Sequence, residues 1–198
     1  EVEVSTAWQW PSPSQWENAD VLVFFKRGNW DGERSQQLQK YIDAGGGAVF
    51  IHWACEAGEQ ADSLAGVIGL ASNSRLTKYR HGLIDLRFDS QSSHPITRGF
   101  GATQFHDESY WDLVGDPKRQ QSLATGREAG GDQPLFWVRE SKTAADQSGR
   151  IFVSIPGHYS WTFDDPLFRI LLLRGIAWTA REPVDRFNNL VEAGVDVR

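Results

Sequence analysis

Histidine, aspartate and glutamate are the residues of this chain whose spacing could support chemistry, and they fall in three places. His52 follows the apolar run Ala48–Ile51, and His158 follows Ile151–Ile155 after a Pro-Gly break. Between them lies Phe105–Trp111, FHDESYW, with His106, Asp107 and Glu108 in succession. In an extended segment His106 and Glu108 point the same way and Asp107 the other. Imidazole and carboxylate together transfer protons near neutrality or ligate a divalent metal. His52, His106, Glu108 and His158 are therefore the candidate catalytic residues. The cofactor is not specified by sequence. A divalent metal held by some of these four would polarise a carbonyl or water. The competing reading makes the strand-end histidines structural and turns the acidic segment into a surface cap. His81, in the basic stretch from Arg75, is a weaker candidate, and His94 before Pro95 reads as a turn residue.

Other chemistries find less support. Cys55, the one cysteine, stands three residues beyond His52 and reads as a buried inert thiol. GxSxG, P-loop and dinucleotide fingerprints are all missing, and the triple glycine Gly45–Gly47 precedes a strand, whereas a phosphate cradle follows one. Net charge is -6 and no lysine–arginine cluster resembles a nucleic-acid footprint, which argues against nucleic acid as a partner. No apolar run reaches the length of a membrane span. Nine tryptophans exceed the needs of an ordinary core. Trp30, Trp53 and Trp161, with Asp107 and Tyr110, are the candidate substrate-binding residues. The remaining tryptophans are read as structural, and a homo-oligomer is a further expected use of aromatic surface.

The elements that must position these residues follow from periodicity. Glu1–Ser5 alternates as a strand, Asp20–Phe25 is a buried strand, and Asp31 caps a helix through Asp43. Ala48–Ile51 then completes a strand–helix–strand unit, expected to be a parallel crossover with His52 at the ligand-holding sheet edge. Leu83–Phe88, Ser122–Thr125, Gln133–Arg139 and Ile151–Ile155 are further strands, and 59–68 is weakly helical. Asp165-Pro166 opens a long apolar helix to about Arg181, which Pro183 ends. The chain reads as one domain over 1–198 with a tail at 183–198. It begins at Glu1 without methionine, so a processed or trimmed start is expected. The compartment stays open between cytoplasm and periplasm or secretion after processing.

GGGAVFIHWA, HPITRGF, FHDESYW and the block GRIFVSIPGHYSWTFDDPLFRILLLRGIAWTA resemble, in order, motifs of the ThuA-like (trehalose utilisation) family. That family lies within the class I glutamine amidotransferase-like superfamily, and the resemblance spans about Asp20 to Arg181. It implies a flavodoxin-like three-layer α/β sandwich with a mostly parallel sheet. It also implies that this chain lacks the family's first strand. His52 occupies the position where amidotransferases carry their nucleophilic cysteine, so glutaminase chemistry is not expected. The resemblance further implies a small-molecule carbohydrate partner. The leading reading is an enzyme acting on a sugar or keto-sugar by acid–base or metal-assisted chemistry, as a hydrolase or isomerase. A non-catalytic carbohydrate-binding or regulatory domain is the alternative, and a structural subunit a weaker third.

Overall fold

The computed structural model describes residues 2–88, 94–141 and 148–193. Parts of the expected polar loop at 141–149 and of the tail lie outside them. Val2–Ala7 forms no strand, and Val2 and Val4 are exposed, so the expected N-terminal strand is corrected. With no partner strand beside it, alternation alone does not make this segment extended sheet.

Seven strands form one sheet. In chain order they are β1 (Val21–Phe24), β2 (Gly47–Ile51), β4 (Lys78–Phe88), β5 (Thr103–Trp111), β7 (Gln121–Glu128), β8 (Gly131–Ser141) and β9 (Gly149–Ser154). A small pair is made by β3 (Leu70–Ala71) and β6 (Val114–Gly115). The helices are α1 (Pro13–Asn18), α2 (Gly32–Asp43), α3 (Ala61–Ile68), α4 (Pro166–Thr179) and α5 (Asn189–Ala193). The strand order of the large sheet is β1-β2-β9-β8-β7-β4-β5.

Parallel pairing joins β1 to β2 and β2 to β9. The crossover through α2 arises where the sequence places it. The Asp31 side chain accepts from the Arg34 amide at 2.8 Å to cap α2, which buries Ser35, Leu38 and Ile42. All five residues of β2 are buried, as a strand covered on both faces requires. Two glycines show which helix covers which face. A Cβ on Gly47 would lie 2.5 Å from the Thr179 carbonyl of α4, and one on Gly149 would lie 2.1 Å from the Ile42 carbonyl of α2. Gly47 pairs with Arg150, so Gly149 points to the opposite face. Helices α2 and α4 thus flank the parallel strands from opposite sides.

The rest of the sheet corrects the expected mostly parallel, flavodoxin-like sandwich. The pairs β9/β8, β8/β7, β7/β4 and β4/β5 are all antiparallel, so two of the six pairings are parallel. The β7–β8 connection is a tight hairpin in which Ala129 and Gly130 both have positive φ, the backbone that favoured hairpin turns need. A crossover helix has no room there, so parallel pairing is excluded at that point.

The sheet also curls. Three strands separate β9 from β5, and in a flat sheet their axes would lie roughly 19 Å apart at about 4.8 Å per step. Instead α4 sits in the concave side and draws both flanks inward. Its buried Phe168 ring meets Phe105 of β5 at 5.9 Å and Phe136 of β8 at 6.4 Å. The free flank of the sheet thereby returns toward the carboxyl ends of β2 and β9.

Candidate active site

His52 stands one residue past β2 with φ +53°, a left-handed backbone that a side chain other than glycine rarely adopts. Such strain persists where the surroundings over-determine it. Here the imidazole is fixed at both nitrogens. Nδ1 lies 2.9 Å from the Ile155 carbonyl, which accepts, so Nδ1 carries the proton and Nε2 keeps its lone pair. His158 follows β9, and its Nδ1 lies 3.0 Å from His52 Nε2.

The third group comes from the far end of the sheet. Glu108 Oε2 lies 2.7 Å from His158 Nδ1 and 3.3 Å from His52 Nε2. His52 and Glu108 are buried, and His158 is partly open. Although those nitrogens are close, Glu108 Oε2 is buried without a hydrogen bond of acceptable angle. A proton between the two histidines would satisfy them and still leave this oxygen unpaired, which is costly in a buried carboxylate. Three donor atoms of two imidazoles and one carboxylate therefore converge as a group capable of coordinating a metal ion. Ligands held about 2.1 Å from a common ion lie roughly 3–3.4 Å apart, near the observed separations. The residues fit a divalent cation of the kind bound by nitrogen and oxygen.

Asp107 acts on the opposite side of the same strand, as alternation requires. It is fully buried, and its carboxylate accepts from the amides of Glu108 (2.6 Å), His158 (3.0 Å) and Gly157 (3.1 Å) and from the Thr162 hydroxyl. It binds the loop after β9 to β5 and so sets the separation of His158 from Glu108. Tyr110, two residues beyond Glu108 on its face, is also buried, with its hydroxyl 3.4 Å from His52 Nε2. Burial, with the charges of Cys55 and Glu108 added, pushes the Tyr110 phenol up, against a hydrogen bond from Trp53. The hydroxyl thus stays protonated and can donate.

The other predicted residues are distributed around this cluster. Trp53 is exposed and stacks beside His52, with ring centroids 6.2 Å apart. Trp161 is also exposed; it lies flat on Tyr159 at 4.1 Å and donates from Nε1 to the His106 carbonyl at 3.0 Å. His106 shares the face of Glu108 but is exposed beside Tyr159 and Trp161, and it is not one of the converging ligands. Trp30 is not brought to the site. It is buried against Trp10, Phe24 and Phe50, with its Nε1 bonded to the Ala54 carbonyl at 3.2 Å. Cys55 is wholly buried, and burial pushes its thiol up to about 12. A thiol held protonated in this way is a poor nucleophile near neutrality.

His81 receives little weight from sequence, yet it stands directly across from Glu108 in the β4/β5 register. Its Nε2 lies 3.9 Å from Glu108 Oε1, its ring 5.0 Å from that of His158, and its Nδ1 2.9 Å from the Tyr159 hydroxyl. Treating the two segments as an antiparallel pair is the signal that would have found it. Two surface cavities of about 420 and 330 Å³ lie elsewhere, one beside His94, Arg139 and Trp178, the other beside Phe100, Leu167 and Arg174.

Together these features define an α/β protein with a curled mixed sheet and a His/His/Glu cluster at the carboxyl ends of its parallel strands. The chain belongs to the ThuA family, described as trehalose utilisation, whose profile matches residues 1–179. No curated protein matches it in sequence. Among solved structures it resembles a ThuA-like protein from Parabacteroides merdae (21% identity, TM-score 0.66), with 89% of this chain and 77% of that chain covered. A ThuA-like protein from Bacteroides uniformis gives 15% identity and TM-score 0.61, covering 83% and 71%. A cold-adapted β-galactosidase from Rahnella sp. R3 shares the fold at 11% identity and TM-score 0.51, with 83% of this chain but 23% of that enzyme covered. The family is carbohydrate-associated, and the triad is capable of acid–base or metal-assisted chemistry. Among the described residues, no helix is long and apolar enough to cross a membrane.

Proposed function

We propose that this protein is an enzyme acting on a sugar or keto-sugar derivative, with a divalent metal held by His52, Glu108 and His158. The observation that carries this reading is the unpaired, buried Glu108 Oε2 facing two imidazole nitrogens. A cation in that position would supply Lewis-acid polarisation of a carbonyl or of water. His52 presents Nε2 because Nδ1–H is spent on the Ile155 carbonyl, the outer-shell contact that orients a metal-binding histidine. Tyr110 keeps a proton to donate toward an oxygen bound beside His52. Trp53 and Trp161 offer apolar faces to a sugar ring, and His106 at the rim is an acid or base for a part of the substrate outside the cluster. The hydrolase and isomerase readings both rest on this arrangement, as does a small-molecule carbohydrate as partner.

Calorimetric titration of metal-stripped protein with Zn²⁺ and Mn²⁺, combined with anomalous scattering from unchelated crystals, tests the metal. One ion per chain is expected, and Glu108→Ala or His158→Ala should weaken it by at least about 100-fold. Turnover of a disaccharide or keto-sugar panel that depends on that ion would then identify the reaction. A protein that binds sugar with neither an ion nor turnover would be the non-catalytic binding domain instead.

A further inference from the structure

We propose that His81 is a substrate-contacting hydrogen-bond donor on the open side of the cluster, held in one tautomer by Tyr159. The inference rests on the metal-site reading and adds a residue to it. His81 is the most exposed of the four groups His52, Glu108, His158 and His81, so a ligand entering from solvent passes it before reaching the buried pair. Two contacts fix its protons. Tyr159 Oη is 2.9 Å from Nδ1, and Glu108 Oε1 is 3.9 Å from Nε2. If Nδ1 carried the proton, the Nε2 lone pair would face a carboxylate oxygen, which is repulsive. With Nε2 protonated, the Tyr159 hydroxyl donates to Nδ1 and the Nε2–H lies near the Glu108 carboxylate, so both contacts are attractive. The distance to Glu108 is too long for a hydrogen bond. The Nε2–H therefore lies beside the cluster with no acceptor at bonding distance among the described residues, as a donor reserved for a ligand oxygen would be.

The aromatic surroundings hold that orientation. Tyr159 is itself stacked on Trp161 and packed edge-on to His158 at 4.5 Å, and Tyr79 meets the His81 ring edge-on at 5.7 Å. The β4/β5 register holds the backbone of His81 opposite Glu108. Tyr159 is thus a positioning residue, acting on the ligand through His81.

The test uses acetohydroxamate, a chelating probe whose oxygens would occupy the open side of a Zn²⁺-loaded protein. His81→Ala should weaken acetohydroxamate by about 3- to 10-fold, the worth of one hydrogen bond, with Zn²⁺ affinity unchanged within about twofold. His81→Gln, which retains a donor, should recover part of the loss. Long-range ¹H–¹⁵N spectra of the metal-free protein should show His81 as the Nε2–H tautomer, and Tyr159→Phe should mix the two tautomers. Zn²⁺ binding with unchanged acetohydroxamate affinity in His81→Ala overturns the inference and spares the metal site. Failure of Zn²⁺ to bind the wild type overturns the metal site, and the tautomer spectrum still decides His81: an Nδ1–H signal removes it as the donor.

Discussion

The two halves of the sheet deliver the cluster in different ways. In the parallel half, His52 and His158 stand just past the ends of β2 and β9, which are hydrogen-bonded neighbours, and chain direction alone brings them together. In the antiparallel half, Glu108 projects from the middle of β5, the opposite flank of the sheet from β1. It reaches the histidines because register puts it on the proper face and curling around α4 closes the distance. Strand ends place a residue by topology, whereas a mid-strand residue needs register and curvature as well. The parallel half should thus govern stability, and the antiparallel half should govern the geometry of the site.

Replacing Phe50 tests the first claim. This fully buried β2 residue stacks on Phe24 at 4.9 Å and touches Trp30, so Phe50→Ala should cost about 3–5 kcal/mol in denaturant unfolding. A loss below about 1 kcal/mol would mean the parallel half is not the stabilising core. Asp107 tests the connection between the halves. In Asp107→Asn an NH₂ group replaces one acceptor facing the 157–158 amides, and stability should fall by about 2–3 kcal/mol. Metal affinity should fall with it, because His158 is then free to move away from Glu108. Unchanged Zn²⁺ binding in this variant would break the claim that Asp107 sets the spacing.

A finer probe lies behind the site. Arg80 and Ser109, next to His81 and Glu108 in sequence, both bond the buried Glu128 carboxylate of β7, at 2.7–2.8 Å. Glu128→Gln should cost about 1–2 kcal/mol, moderated by the partial exposure of Arg80. It should also weaken Zn²⁺ by about 10-fold through the backbone positions of His81 and Glu108. A stability loss with no change in Zn²⁺ would confine Glu128 to a structural role.

The same contrast explains which parts of the molecule could be read from its letters. Strand β2, helix α2 with its Asp31 cap, strand β9 and helix α4 are local patterns of burial and capping, and each appears within a few residues of its expected place. His52 and His158 follow because they need no information beyond those strand ends. Glu108 was legible as a residue type on a face, and the reason Asp107 faces away from it was legible too. Which histidine joins Glu108 was not. His106 shares its face by alternation, but the nearby imidazoles come from other segments: His52, His158 and, across the register, His81. Nothing local encodes the curl either, since it depends on Phe105, Phe136 and Phe168 meeting across three elements. Trp30 shows the complementary difficulty: a tryptophan after a strand can line a ligand crevice or fill the core, and its partners Trp10, Phe24 and Phe50 place it in the core.

The smallest expected effect is titrational and lies in the parallel half, one turn beyond His52. Burial holds the Cys55 thiol up to about 12 in the folded chain, against 9.0 for an unperturbed group. Well below pH 9 the thiol is protonated in both states and contributes nothing to pH dependence. Between pH 9 and 12 the unfolded chain loses this proton while the folded chain keeps it, so the unfolded state binds fewer protons and stability falls as pH rises. The loss from Cys55 should reach roughly 1.4 kcal/mol at pH 10. Tyr41, pushed up by burial to about 12, adds to it above pH 10. Denaturant unfolding from pH 8 to 10.5 should show this decline, and Cys55→Ala should flatten it whatever its stability at pH 8. A thiol reagent at pH 8 should label the native chain far more slowly than the unfolded one. Rapid native labelling would instead place an accessible thiolate three residues beyond His52.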